Sequence, residues 1–110
     1  MAGKKKQELR IFEQGGNVRV TLERDLVSSN AEEIRAVLTD GLGSATKVLV
    51  LDVFAVEEVD ADGVKLITGL IASCRRRNVQ LVIETAREGV AAKLLRQLGI
   101  DRVVDVREAS

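Results

Sequence analysis

The stretch KVLVLDVFAVEEVDADGVKLI, Lys47 to Ile67, joins an unbroken apolar run to an acidic loop and then to a helical pattern. The run through Val53 reads as a strand, and a continuous apolar strand is expected to be buried on both faces, as in the centre of a parallel sheet. Beyond it, Glu57, Glu58, Asp60 and Asp62 place four carboxylates within six residues. Val64, Ile67, Leu70, Ile71 and Cys74 then recur on one helical stripe, so a helix is predicted from near Asp62 to about Arg76. A strand followed by a helix is the repeating step of an α/β fold.

The flanks extend the same alternation. Upstream, ELRIFEQGGNVRVTL reads as a hairpin, with Gly15-Gly16 and Asn17 at the turn and Val18, Val20 and Leu22 facing inward. SSNAEEIRAVLTDGL reads as a helix with Ile34, Val37, Leu38 and Leu42 on one face. Ser29 with Glu32, or Asn30 with Glu33, fits a capping box at its start. Downstream, VQLVIE is a strand. Thr85 with Glu88 fits the cap of a third helix whose Val90, Leu94 and Leu98 face inward. Gly99 supplies a left-handed stop over which Ile100 folds back, and RVVDV, Arg102 to Val106, is a short last strand. The order is β-β-α-β-α-β-α-β. It predicts one α/β domain over residues 1–110: an N-terminal hairpin, then alternating elements forming a mostly parallel mixed sheet of about five strands with three to four helices. Residues 1–7, with Lys4–Lys6, read as a flexible tail.

Composition narrows the function. The chain has 110 residues, enough to bury roughly 65% of its unfolded surface in one core. That core must be aliphatic, since aromatics make up only 2% of the residues. Seventeen basic and 17 acidic residues cancel, which argues against nucleic acid as a partner, because phosphate contacts need a basic surplus. The single Cys74 excludes an internal disulfide and points to a reducing compartment. Its place on an apolar stripe reads as an inert core thiol. No apolar run is long enough to span or insert into a membrane, and no apolar signal region opens the chain, so a cytoplasmic location is expected.

Catalytic chemistry finds little to work with. The chain has no histidine, so Ser-His and Cys-His pairs are excluded. GLGSATK, Gly41 to Lys47, resembles a phosphate loop only faintly, and it precedes a strand where such a loop must follow one and open a helix. A phosphoacceptor receiver domain would need an acidic pair after its first strand and a proline after its acceptor, and this chain has neither. The acidic cluster leaves three readings open. Its oxygens suit a hard divalent cation, although no EF-hand spacing is present. Asp60 or Asp62 suits the free N–H groups of a helix start. The remaining acids suit a charged docking surface. Arg75, Arg76 and Arg77 complement the negative end of the same helix, or serve a docking role.

The element order together with LVLDVFAVEEVDADGVKLI resembles the STAS domain, the family of bacterial anti-sigma factor antagonists and their relatives. The resemblance runs from about Val18 to Val106. LERDLVSSNAEEIRAVL is similar to the family's second strand, acidic turn and first helix, and AAKLLRQLGIDRVVDV to its closing helix, glycine stop and last strand. The family's most specific motif is Asp-Ser-Ser-Gly opening a helix, and here it reads Asp60-Ala61-Asp62-Gly63. In antagonists the second serine is phosphorylated by a partner kinase that is itself the anti-sigma factor, and phosphorylation ends the binding. Asp62 stands at that position, so no hydroxyl is available there for a reversible switch.

The resemblance implies a non-enzymatic protein-interaction module in signal transduction and transcription regulation, with no cofactor and no metal. Asp60, Ala61, Asp62 and Gly63 would form the contact core, with Glu57, Glu58 and Lys65 around it. Gly63 would admit a partner's backbone, or simply open the helix. The implied partner resembles a serine kinase with an ATP-binding fold. The alternatives are a subunit role in a lipid-type ABC transport complex and a scaffold role in a chemotaxis or stress-sensing assembly. The domain itself is expected as a monomer or weak homodimer.

Overall fold

The computed structural model describes residues 9–23 and 25–109, so the tail expected over residues 1–7 lies outside the described residues. β1 (Leu9–Gln14) and β2 (Asn17–Leu22) form the predicted hairpin. Gly15 and Gly16 lie at φ 57° and 87°, the pair of positive values that a two-residue turn of right-handed strands requires. α1 (Ser28–Gly41), β3 (Val48–Asp52), α2 (Ala61–Arg76), β4 (Gln80–Ala86), α3 (Val90–Gln97), a single 3₁₀ turn (Ile100–Arg102) and β5 (Asp105–Ala109) follow. The five strands lie in the order β1-β2-β3-β4-β5, antiparallel in the hairpin and parallel from β2 onward. The expected mixed sheet with three helices is therefore the observed one.

All three helices cover one face of that sheet. Ile34 and Leu38 of α1, Leu66, Ile67, Leu70 and Cys74 of α2, and Ala91 and Leu95 of α3 join Val20, Leu51 and Ile83 in one buried aliphatic cluster. Cys74 is a core residue, and burial pushes its thiol pKa up, as an inert thiol requires. The opposite face carries no helix among the described residues, and although Val82 of β4 is buried there, β3 is only partly covered on that side, which corrects the expectation that it is buried on both. Along β3, Leu49 and Leu51 are buried while Val48, Val50 and Asp52 are only partly covered. Arg19, opposite Val50 in the sheet register, joins an ionic cross-strand group on that face. Arg19 on β2 donates to Asp52 Oδ2 at 3.0 Å and to Glu84 Oε1 at 2.5 Å. Glu84 foremost, then Asp52, raises the Arg19 pKa against the opposing effect of burial. A run of apolar letters cannot distinguish a strand between two helical layers from one shielded on its far side by long charged side chains.

Three local expectations also change. α1 starts at Ser28, ahead of both predicted boxes, and Asn30 Oδ1 instead accepts the Val27 N–H at 3.1 Å. Thr85 does not cap α3: it lies inside β4, fully buried, with a hydroxyl that has no hydrogen-bond partner among the described residues. Glu88 turns the chain with φ 59°, and α3 buries Ala91, Ala92 and Leu95 while Val90 and Leu98 stay about half exposed. Gly99 does stop α3 in the left-handed region with Ile100 buried, as predicted. The 3₁₀ turn then uses Ile100–Arg102 and moves the last strand to Asp105–Ala109.

One-sided burial sets unequal costs for neighbouring residues of β3. Leu51→Ala, at a fully buried site, is expected to lower unfolding free energy by about 3 kcal/mol, and Val50→Ala by less than about 1.5 kcal/mol. Urea denaturation of both variants measures the difference, and equal losses would contradict a single buried face.

Candidate functional site

The two loops that precede α1 and α2 are laced together before either helix begins. Leu26 and Val59 form a parallel bridge. The Leu26 N–H donates to the Glu58 carbonyl at 2.9 Å, and the Asp60 N–H to the Leu26 carbonyl at 3.1 Å. Asp25 Oδ1 accepts the Glu57 and Glu58 N–H groups at 2.8 and 3.1 Å. The backbone of the acidic loop is thus held from the far side of the α1 connection.

Asp60 is the junction. It is the N-cap of α2 in extended conformation, and its Oδ1 accepts the Gly63 N–H at 3.0 Å. Its other oxygen, Oδ2, accepts the Ser28 N–H at 2.8 Å in the first turn of α1. One carboxylate therefore serves the free donors of two helix starts. The Ser28 bond foremost, then the Gly63 bond, holds the Asp60 carboxyl below its ordinary value, against a smaller opposing effect of burial.

Gly63 is buried at the same junction. A Cβ there would overlap the Leu26 carbonyl oxygen and crowd Val59 Cγ1 at 2.9 Å. The close approach that the glycine permits is by its own chain, so the space foreseen for a partner's backbone is already filled.

The other expected residues face outward. Glu57, Glu58, Ala61, Asp62 and Lys65 are all exposed, and Asp62 sits in the first turn of α2. Among the described residues the Asp62 side chain has no ion pair. No group of three or more His, Cys, Asp or Glu side chains there is placed to hold a metal ion. The motif thus divides: Asp60 and Gly63 build the junction, and Ala61, Asp62 and Lys65 are presented by it. Asp25, Leu26 and Ser28 complete the junction and were not singled out in the sequence. Asp25 had a signal, an acid just before a helix, but nothing in the linear pattern pairs Leu26 with Val59.

Asp62 and Lys65 also open a groove between α1 and α2. The helices run parallel, joined by Asp60 at their starts and by Arg77, which donates to the Leu42 carbonyl at 3.0 Å, at their ends. Ser28, Glu32, Asp62 and Lys65 line one part of the groove, about 320 Å³. Leu38, Leu42, Leu66, Gly69 and Leu70 line the other, about 140 Å³. Arg35, which is paired with Glu32, borders both parts. Gly69 is notable because a mid-helix glycine costs about 0.8–1.0 kcal/mol against alanine, yet a Cβ there would touch nothing within 4 Å.

The junction makes two predictions. Gly63→Ala is expected to destabilise the fold by about 1–3 kcal/mol through overpacking, read by urea denaturation. For Asp60, the lowered carboxyl pKa means that its stabilisation is complete above the ordinary value of 3.8 and is lost as pH falls through the lower folded value. Asp60→Ala should therefore lower the melting temperature at neutral pH, and the gap to wild type should close in acid. A gap that persists unchanged well below the ordinary value would refute the charged clamp.

Comparison with known proteins bears on the same elements. The chain superposes on an anti-sigma factor antagonist assigned in Thermotoga maritima with a TM-score of 0.81 at 17% identity, covering 94% of this chain and 88% of that one. It superposes on the anti-sigma factor antagonist SpoIIAA, in its unphosphorylated form, with a TM-score of 0.66 at 16% identity, covering 93% and 89%. At such identities the likeness concerns the fold. No curated protein matches the chain. The family model for the STAS domain matches residues 8–110, and the chain belongs to the STAS domain family.

Proposed function

We propose that this chain is a protein-interaction module of the anti-sigma factor antagonist kind and catalyses no reaction itself. Asp62 stands where a switching member of the family carries its phosphorylatable serine. The observation that carries this reading is the division of labour between two neighbouring aspartates. Asp60 has both oxygens committed to backbone donors, whereas Asp62, two residues on, is exposed at a helix start. The junction holds Asp62 in place without drawing it into the fold.

The physics of that position favours recognition by charge. A helix N-terminus attracts anions, so it accommodates a phosphate or a carboxylate equally. A carboxylate carries about −1, against about −1.5 to −2 for a phosphoserine, and two acceptor oxygens against three. Asp62 thus falls short of the modified state in both charge and acceptors, and it labels the surface without ending the binding. Glu57 and Glu58 extend the negative surface, and Lys65 sits one turn along α2. Charge of this kind sets encounter rate and rejects wrong partners more than it adds affinity. The fitting partner is a serine-kinase-like regulator with Lys or Arg at its facing surface. The likeness of fold to two anti-sigma factor antagonists supports this class of partner.

The wild type and two variants test the reading in a pull-down with the full chain as bait. The wild type is expected to retain a protein with a kinase-type ATP-binding fold. Asp62→Lys should lose it while melting within a few degrees of wild type. With that partner and ATP, the wild type should keep its mass, and Asp62→Ser should gain one phosphate. Retention of the partner by Asp62→Lys, or capture of an ATPase–permease complex instead, would refute the proposal.

A further inference from the structure

We propose that β1 is a docking edge for a second copy of this chain: the two β1 strands pair antiparallel about Ile11 and join the two sheets into one. β1 is the last strand on its side of the sheet, and its strand neighbour among the described residues is β2 alone. A regular strand in that place presents a row of unpaired N–H and C=O groups, a template for a further strand. Bulges and prolines commonly blunt such an edge. β1 has neither, since its register with β2 is unbroken from Leu9 to Gln14 and the chain contains no proline. The opposite edge differs. β5 carries charge at Asp105, Arg107 and Glu108, three of its five positions, which guards it.

What β1 shows to solvent is apolar. Ile11 is 46% exposed and Phe12 is 63% exposed. They are adjacent, so they stand on opposite faces of the sheet. Phe12 is one of the chain's two phenylalanines, and both are exposed while the core is aliphatic. An aromatic ring kept out of the core and set on an open edge follows the composition of an interface. Beside that ring, Arg10, Ile11, Phe12, Arg19 and Thr21 line a shallow hollow of about 360 Å³.

Backbone geometry and charge select both the occupant and its register. The two-residue turn makes Gln14 and Asn17 a hydrogen-bonded pair. Along β1 the backbone groups of Gln14, Phe12 and Arg10 therefore turn to β2, and those of Leu9, Ile11 and Glu13 turn outward. A second β1 can bond to these only where its own outward residues stand opposite them. Centring the pair on Arg10 or on Glu13 sets like charges against each other. Centring it on Phe12 sets Ile11 against the Glu13 carboxylate, and centring at either end leaves little overlap. Centring on Ile11 sets isoleucine against isoleucine on the helix-covered face. On the other face it sets Phe12 of each copy opposite Arg10 of the other, at the hollow. Arginine over an aromatic ring is favourable, and Glu23, 2.6 Å from Arg10 Nε, already holds that guanidinium at the edge. The strand is thus complementary to itself, which a two-fold dimer requires. None of Glu57, Asp62 and Lys65 lies on β1, so this inference stands or falls apart from the docking reading above.

Sedimentation velocity of the full chain over a hundredfold range of concentration is expected to show reversible growth from one chain mass to two. Ile11→Lys and Phe12→Lys, both at exposed positions, should stay at one chain mass throughout and melt within a few degrees of wild type. The register has its own test. Opposite Cα atoms of a hydrogen-bonded pair lie about 5.5 Å apart, within disulfide reach. Ile11→Cys should therefore cross-link under mild oxidation and Glu13→Cys should not, with Cys74 buried in both. A wild type that stays at one chain mass at every concentration, or a dimer that survives both lysine variants, would overturn the inference. Cross-linking through Glu13→Cys in place of Ile11→Cys would overturn it as well.

Discussion

The carboxylate of Asp60 lies between two helix starts, and the arrangement of this domain depends on it. α1 and α2 run parallel on the same face of the sheet, so their N-termini, each carrying partial positive charge, are side by side. Unbridged, that pairing places like partial charges together and leaves N–H groups without acceptors. One anion with two oxygens answers both problems, because it reaches Ser28 with one and Gly63 with the other. The opposite ends are joined in the complementary sense, by the Arg77 guanidinium on the Leu42 carbonyl. The two helices are thus fixed to one another by a negative group at one end and a positive group at the other, and the groove between them follows from that parallel placement.

The same constraint separates two aspartates that look alike in the sequence. Asp60 lies in extended backbone at the cap, which turns its side chain back over the helix start. Asp62 is already inside the first turn, where a side chain projects away from the axis. Stability belongs to the first and presentation to the second. Gly63 falls on the stability side as well, since its missing Cβ admits the Leu26 carbonyl. The motif of four consecutive residues is therefore mostly architecture, with one charged group displayed upon it.

Much of this was legible beforehand. The hairpin turn at Gly15-Gly16, the stripe through Ile67, Leu70 and Cys74, and the stop at Gly99 all follow from backbone freedom or helical spacing within a few residues. The errors arose where a local pattern had a distant competitor. Ser29 with Glu32 satisfies a capping rule, but the nearby Asp60 carboxylate supplies the α1 start and the helix begins earlier. Thr85 with Glu88 satisfies the same rule, but β4 extends through Thr85 because β5 pairs alongside it. Val90 and Leu98 fit a helical stripe, but α3 is only two turns long and sets its small face, Ala91 and Ala92, against the sheet.

By itself the sequence determined which segments become strands and helices, the aliphatic nature of the core, and the absence of a histidine on which nucleophilic catalysis could turn. Those properties depend on residue type and on periods of two or of about 3.6, which neighbours along the chain specify. Only the tertiary structure decided which acid is bound and which is displayed, that the three helices lie on one side of the sheet, and that Gly63 is packed against Leu26 while Gly69 has open space beside it. The partners concerned are 32 residues apart for Ser28 and Asp60, and 33 and 65 for Arg19 with Asp52 and Glu84. A contact across such a separation exists only once the sheet has brought the two loops together, so no local pattern can carry it.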